Sequence, residues 1–579
     1  MGNRKKDEKL ICMLLEDLGS DFSKELVKSV VNALPTGRSI RLVVLPGKYD
    51  DGRGGRTLHE YKAVYNSVFR LSELCEVDGF IIHLGSVNEK DMNNFQIYQS
   101  LMKNNRRVPV VLVASDLEGA TTVNYDNESG IREAVEYLVN ASGMIKLCML
   151  GGREDNKDAR ARREIFERCL SEYGVTLGEK NFINTDMTAG CVDQAGKLLD
   201  DNPDVQAIFC VNDAVAKGLY EAMAQRGLAP GEDILVFGFD NTRMSGELMP
   251  TLTSIGSDKV TLGQKALELL MDKMNGQEVS SATVPTRLYG RESFPYEMYD
   301  YTTVEMVNAD PAFIYRMFDD CFYRYKGSYV DRESVDLKRL FFEFISRMLI
   351  AMKRRYMSIE TFEELCVMID KFFEKGAMEY TDAVKLIKSI ERIQDGMNRA
   401  QRSLAATVLV NRLFARMKDK AIIALSKQML EKETQYTFER ERLEDLLITA
   451  LTPDRSQESI FRGFGKLGLD NSALYVFDNP VDYSAGRDTV FPEQIKLRCI
   501  IRSGELYILS GERQRCRLSD ILDRDELTAR CRGFAAFPIF CGDLIYGLMM
   551  CELTGDVFER GEFIAMQIGR CFGLCLPEQ

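Results

Sequence analysis

Over the first three hundred positions, short apolar and β-branched runs alternate with segments whose apolar residues recur three and four apart. The runs Leu10–Leu15, Ile40–Leu45, Gly79–His83, Val108–Val113, Ile145–Leu150, Ala207–Val211 and Ile234–Phe239 predict strands. Between them Phe22–Asn32, Gly130–Asn140, Ala161–Tyr173 and Ala214–Arg226 carry the helical period. Strand and helix in strict alternation predict βαβ units around a parallel sheet, an α/β region reaching from about residue 1 to 300. The pattern then changes. Between Pro311 and Pro453 there is no proline, and Lys338–Arg355, Ile359–Phe373, Thr381–Met397 and Ser403–Ala450 all repeat at helical spacing. This stretch, 301–436, predicts an α-helical region. Its last pattern is one long helix or two, and Glu439–Leu447 has the look of a coiled-coil connector. A plain helical bundle with no signalling role fits the same pattern. From 437 to the end, strand-like runs return at Ala473–Phe477, Ile495–Ile501, Glu505–Leu509, Gly533–Phe540 and Leu544–Glu552, closed by an amphipathic helix at Arg560–Cys571. That order predicts an α+β domain.

Length changes this picture little: 579 residues exceed what one hydrophobic core organises, so several domains are expected. No apolar run approaches the ~20 residues needed to cross a membrane, and the short N-terminal run Leu10–Leu15, interrupted by Glu16 and Asp17, is no secretory signal. A cytoplasmic protein is expected. The 15 cysteines are scattered, odd in number and without a C-x-x-C pair, which predicts reduced, mostly buried thiols. His59 and His83 are the only histidines, so a histidine-rich metal site is excluded and a Ser-His-Asp or Cys-His pair would have to use one of them. The expectation is a protein without catalytic residues, metal or cofactor. A net charge of −13 opposes non-specific nucleic-acid binding, which needs concentrated positive charge, so direct DNA contact is not expected.

Specific segments carry a resemblance. EDLGSDFSKELVKSV, VDGFIIHLG (Val77–Gly85), RVPVVLVAS (Arg107–Ser115), NYDNESGIREAVEYL (Asn124–Leu138), CVNDAVAKGLYEAMAQRGL (Cys210–Leu228), EDILVFGFDN (Glu232–Asn241), PTLTSI (Pro250–Ile255) and GRES (Gly290–Ser293) succeed one another as in the effector-binding core of the lactose-repressor family and its sugar-binding periplasmic relatives. The resemblance implies a two-lobed periplasmic-binding-protein-like fold whose second lobe begins near Asn124. It places Arg162, Asn212 and Asp240 on the polar ligand-binding positions and Phe22 on the aromatic that stacks on the ligand, with Asp21, Asp126 and Ser129 as further candidates. A polyhydroxyl ligand suits this set: a guanidinium that only donates, an amide that does both, a carboxylate that only accepts, and a flat ring for the apolar face. Locally, Asn212–Asp213 reads equally as a helix cap and Asp240–Asn241 as a turn. The sequence departs from the family at Ala114 and Ser115, where sugar-binding members often carry an acidic and a basic residue; Asp116 stands next to them. Only MGNRKKDEK precedes the first strand, so the family's helix-turn-helix is expected to be missing.

The C-terminal region, in its order of elements and in FAAFPIFCGDLIYGLMMCEL (Phe534–Leu553) with a turn at Cys541–Asp543, resembles a GAF domain. LGGREDN (Leu150–Asn156) is similar to the GGDEF signature of diguanylate cyclases but lacks its acidic-aromatic ending, and reads as the loop after a strand. The resemblances imply a bacterial sensor, a homodimer, that binds a small polar metabolite, sugar-like or nucleoside-like, between two lobes and relays closure through helices to the GAF-like module and a downstream partner. Two other readings stay open: a transcriptional regulator acting with a separate DNA-binding partner, and the regulatory portion of a diguanylate cyclase.

Overall fold

A computed structural model describes residues 8–35, 40–49, 55–83, 94–104, 108–115, 117–257, 260–294, 300–325, 332–400, 403–451, 457–523 and 532–575. The chain forms two compact units. One takes residues 1–125, 261–284 and 434–579, the other 126–260 and 285–433. Each therefore combines one lobe of the α/β region with a part of the chain beyond residue 300.

In the first unit the strands Ala282–Val284, Thr122–Tyr125, Val110–Val113, Gly79–His83, Lys9–Glu16 and Ile40–Gly47 lie side by side in that order and all run parallel. Most are apolar on both faces, as parallel strands covered by helices must be. The run expected from Val108 starts at Val110, beyond Pro109, which has no amide hydrogen for the ladder. The sheet does not end at Ile40–Gly47. Gly533–Cys541 pairs with it in parallel, Leu42 opposite Gly533 and Val44 opposite Ala535, and the sheet continues antiparallel through Leu544–Glu552, Ser472–Asp482, Gln494–Arg502 and Glu505–Ile508. One hydrophobic core runs beneath both parts, from Leu10 and Val43 to Phe534, Phe537 and Ile568. The final helix, Gly555–Cys575, lies so close to Gly533–Cys541 that a Cβ on Gly569 would sit 2.1 Å from the Phe540 carbonyl oxygen. Across the junction Lys48, which also reaches Asp17 on its own side at 3.3 Å, bonds Glu562 at 2.7 Å, and the rings of Tyr61 and Phe540 are 5.3 Å apart.

The second unit has a six-stranded sheet in the order Thr286–Tyr289, Thr253–Ser257, Leu235–Phe239, Ala207–Cys210, Leu147–Gly151 and Phe182–Asn184. All neighbours are parallel except the first pair. Ile145, expected to open its strand, is exposed: the Gln206 side chain accepts from the amides of Ile145 and Lys146, so the ladder begins at Leu147. In LGGREDN, Leu150 and Gly151 end the strand and Gly152–Asn156 form the loop, in which Asn156 caps the helix Lys157–Glu172 by accepting from the Ala159 amide at 2.9 Å. The helices Pro311–Cys321, Arg332–Arg354, Ile359–Glu374 and Ala383–Ala400 pack around their own aromatic core, which includes Phe318, Phe322, Phe341, Phe344 and Phe372. The last helical pattern is a single helix, Leu404–Leu451, of 48 residues. Among the described residues no helix is long and apolar enough to cross a membrane.

Candidate functional site

Arg162 and Asp240, far apart in sequence, meet within the second unit. Arg162 projects from the Lys157–Glu172 helix and is only 3% exposed. Its Nε donates to Asn127 Oδ1 at 3.2 Å, one Nη to the Val211 carbonyl at 2.7 Å and the other to Asp240 Oδ1 at 3.1 Å. Its guanidinium carbon stands 3.6 Å from the Phe239 ring centroid, a close cation–π contact. Asn127 in turn donates to Asp158 at 3.1 Å. These bonds use three of the five N–H groups of the fork, and Asp240 spends one carboxylate oxygen on Arg162. The Asp240 side chain is 11% exposed. Burial raises the Asp240 carboxyl pKa, Arg162 opposes that shift, and Asp158 adds to it.

The turn that carries Asp240 is held in an uncommon conformation. Asp240 and Asn241 have φ of +93° and +47°, which for residues with a side chain costs about 1–3 kcal/mol each and persists only where the surroundings over-determine it. They do here: the Asp240 amide donates to the Ile255 carbonyl at 2.8 Å, the Asn241 amide to Ser254 Oγ at 3.0 Å, and the Thr242 amide to Asp213 Oδ2 at 2.7 Å. Asp213 also accepts from the Thr242 hydroxyl at 3.0 Å and from Ser254 Oγ at 2.5 Å. Sequence reasoning passed Asp213 over as half of a helix cap. An acid directly after a buried strand was the available signal, but its bond partners lie on two other segments.

The other candidates separate. Asn212 caps the Asp213–Ala224 helix, its Oδ1 accepting from the Val215 amide at 2.9 Å while its Nδ2 donates to the Met187 carbonyl at 3.1 Å. Its amide group is thus engaged at both ends. Asp126 caps the Asn127–Val135 helix through the Glu128 amide and accepts from the Ser129 hydroxyl. Phe22 and Asp21 belong to the first unit: Phe22 lies against His83, ring centroids 5.1 Å apart, and Asp21 is 4.0 Å from Lys24. Ser23 is buried, donating to the Glu16 carbonyl at 2.7 Å, which explains a small polar residue there. Ser115 accepts from the Leu117 amide at 3.3 Å, and Asp116 lies outside the described residues. No group of three or more His, Cys, Asp or Glu among the described residues is arranged to hold a metal.

Burial, with the nearby Asp240 carboxylate, pushes Asp213 up to about 7 despite its hydrogen bonds. The unfolded chain releases that proton near ~3.9. Between those values the folded state holds more protons than the unfolded one, so this group's contribution to stability falls as pH rises from about 4 to 7 and is level above. Asp213→Asn keeps the shape and needs no ionisation. Its stability advantage over the parent is expected to grow between pH 5 and pH 8 by a few kcal/mol at most, read from denaturant midpoints. A constant offset would show that Asp213 does not titrate in this range.

The α/β lobe that holds Arg162 and Asp240 falls largely within residues 135–294, which match the family model described as periplasmic binding protein-like domain. This part of the chain is similar to several regulators of transcription. Catabolite control protein A of Priestia megaterium is 31% identical over 224 residues, 38% of this chain and 65% of that protein. The HTH-type transcriptional repressor PurR of Vibrio vulnificus is 30% identical over 154 residues, 26% and 46% of the two chains. The chain thus spans roughly half to two thirds of the length of these relatives. A solved lac repressor dimer bound to operator and the anti-inducer ONPF aligns over 50% of this chain and 96% of its own, at 24% identity and a TM-score of 0.40. PurR, and CytR of Escherichia coli, 27% identical over 190 residues, are both named as HTH-type transcriptional repressors.

Proposed function

We propose that this protein senses a small polar metabolite, sugar-like or nucleoside-like, at Arg162 and Asp240 and serves in the control of transcription. The observation that carries the reading is the Arg162–Asp240 pair: a buried fork and carboxylate that, among the described residues, engage three of the five N–H groups and one of the two carboxylate oxygens, held by Asn127, Asp213 and the Val211 carbonyl. Similarity to repressors supports the regulatory role, and the acidic balance of the chain favours a separate DNA-binding partner over direct DNA contact. In this reading Phe22 supplies the aromatic ring for the apolar face of the ligand, and the protein is cytoplasmic. Residues 1–300 are the sensor, 301–436 the helical link and 437–579 a GAF-like module; the turn between Gly533–Cys541 and Leu544–Glu552 falls where the GAF resemblance puts it. A homodimer is part of the reading, supported by Ile422, Ile423, Met429 and Leu430, which stand exposed on the long helix. Sedimentation at the mass of a single chain would remove that part.

The test is a thermal-shift screen of the full chain against D-ribose, cellobiose, polyols, nucleosides and purine bases, with Asp240→Asn as the control. A ligand at a hundred times its dissociation constant adds about 2.7 kcal/mol of stability. A shift in the parent that is lost in Asp240→Asn is expected; a shift of equal size in both would place binding elsewhere. Electrophoretic mobility of promoter DNA with the chain alone tests the partner: retardation without another protein would overturn the separate-subunit reading.

A further inference from the structure

The turn after Asp240 is held from its far side by the helical region. Arg291, from the GRES segment, is buried, and its Nη2 donates to Asn241 Oδ1 at 2.7 Å. Asn241 packs against the bare backbone of Gly256, where a Cβ would sit 2.4 Å from its own. The remaining bonds of Arg291 run to the Leu252 carbonyl at 2.8 Å, to Tyr323 Oη at 2.5 Å and, from Nε, to Asp382 Oδ2 at 3.1 Å. Tyr323 Oη donates to the same Asp382 oxygen at 2.9 Å, and Asp382 Oδ1 accepts from the Lys385 amide at the start of the Ala383–Ala400 helix. Arg324 adds a second grip, donating to the carbonyls of Thr242 and Arg243 at 3.3 Å each. Tyr323, Arg324 and Asp382 all belong to the helical region, and all bear on the three residues after Asp240.

The energetic order of these contacts matters. Asp382, 4% exposed in its side chain, is the carboxylate that balances the Arg291 charge, itself 1% exposed. A buried arginine deprived of its counter-charge moves or takes in water, and Asn241 moves with it. Because Asn241 is covalently next to Asp240 and shares its left-handed backbone, a shift there re-aims the carboxylate that Arg162 holds.

We propose that the helical region sets the affinity of the Arg162–Asp240 site, with Arg291 as the positioning residue through which it does so. This rests on the reading of that site as a ligand site. Coupling of this kind is reciprocal: whatever tightens the Asp240 turn on binding also tightens the seat of Asp382 and Tyr323, so the start of the Ala383–Ala400 helix reports occupancy. A helical region that merely packed on the lobe would need no charged network directed at one turn.

The experiment uses the full chain and Tyr323→Phe, which keeps the ring and removes the hydroxyl, with Asp382→Asn as the stronger variant. Amide hydrogen exchange is measured without ligand at Asn241–Arg243 and Thr381–Lys385. The expected result is faster exchange at Asn241–Arg243 in Tyr323→Phe, in a protein whose exchange in the Ala207–Cys210 strand is unchanged. Whichever of D-ribose, cellobiose and adenosine binds the parent is then titrated, and about tenfold weaker binding to Tyr323→Phe is expected. Faster exchange confined to Thr381–Lys385, or an unchanged dissociation constant, overturns the proposal. If none of the three binds the parent, it is the ligand reading that loses support, while the exchange arm still decides whether the turn depends on the helical region.

Discussion

A chain cut after residue 300 is expected to come out insoluble or as soluble aggregate, although it contains the whole α/β region read from the sequence. Two things are lost with the cut. In the first unit the Ile40–Gly47 strand loses Gly533–Cys541, its parallel neighbour, and with it the bond from the Leu42 amide to the Arg532 carbonyl. An eight-residue strand buried on both faces becomes a bare edge, the template for aggregation that native sheets avoid. The core beneath it is uncovered too: Val43, Val44, Tyr65 and Leu45 lose Phe534, Phe537, Phe540 and the final helix, which opens a contiguous apolar face to water. In the second unit Arg291 loses Asp382 and Tyr323, and the apolar and polar surface that the helical region covers around it is opened to water. Stability of a whole domain is only about 5–15 kcal/mol, so losses in both units together leave little margin. Size-exclusion chromatography and denaturant unfolding of the fragment check this. A monodisperse 1–300 fragment that unfolds cooperatively would show that the Gly533–Cys541 pairing is dispensable.

The same contrast marks what was legible in the sequence. Local period located the strands it named in the α/β region to within about two residues and the named helices to within about four, because burial on one or both faces writes itself directly into the order of apolar residues, while the helices Gly55–Tyr65, Asn94–Asn104, Val192–Asp201 and Leu262–Met274 were not named. The misplacements have local causes, Pro109 removing a donor and Gln206 capturing two amides. Pairing was another matter. Nothing in Ile40–Leu45 or Gly533–Phe540 names the other as its neighbour, nearly five hundred residues away. Yet FAAFPIFC, buried at seven of its eight positions, carried a sign that both its faces would be covered. At the site, the ligand resemblance picked out Arg162 and Asp240, which do meet. It gave equal standing to Asn212, whose side chain serves the helix it caps. Asp213, Arg291 and Asp382 escaped because a buried charge is recognisable only once its counterpart is in place. Arg291 was quoted only as a letter of GRES, and Asp382 lay unremarked in a helical pattern.

Arg162→Ala is expected to cost about 3–5 kcal/mol of stability as well as any binding, and that double effect decides how the site should be tested. The guanidinium is the hub of the site: without it the Val211 carbonyl and Asn127 Oδ1 lose their donor, Phe239 loses the cation over its ring, and Asp240 is left as a buried carboxylate beside Asp158 and Asp213. Asp240 then meets the burial that already raises its pKa with no opposing charge, so the variant is expected to gain a proton in the folded state. Its folded carboxyl titrating above the unfolded value makes the variant's deficit smallest at low pH and largest once the pH exceeds the folded pKa. Arg162→Lys keeps a positive charge but not the planar fork, and one ammonium cannot span three acceptors set around a plane; an intermediate loss is expected. Asp240→Asn, by contrast, keeps an oxygen for Arg162 and leaves Asn127 and Val211 served, but takes the paired carboxylate from a buried guanidinium, with Asp158 the remaining acid linked to it through Asn127. Its stability is expected to fall by less than that of Arg162→Ala, which also strips two further acceptors and empties the volume of the side chain. Denaturant unfolding of the three variants at pH 5 and pH 8 checks the series, and equal losses in Arg162→Ala and Asp240→Asn would mean that the pair stands or falls as one charge couple and not as an arginine hub. If the order holds, loss of ligand binding in Asp240→Asn reports on recognition, whereas the same loss in Arg162→Ala reports first on the fold.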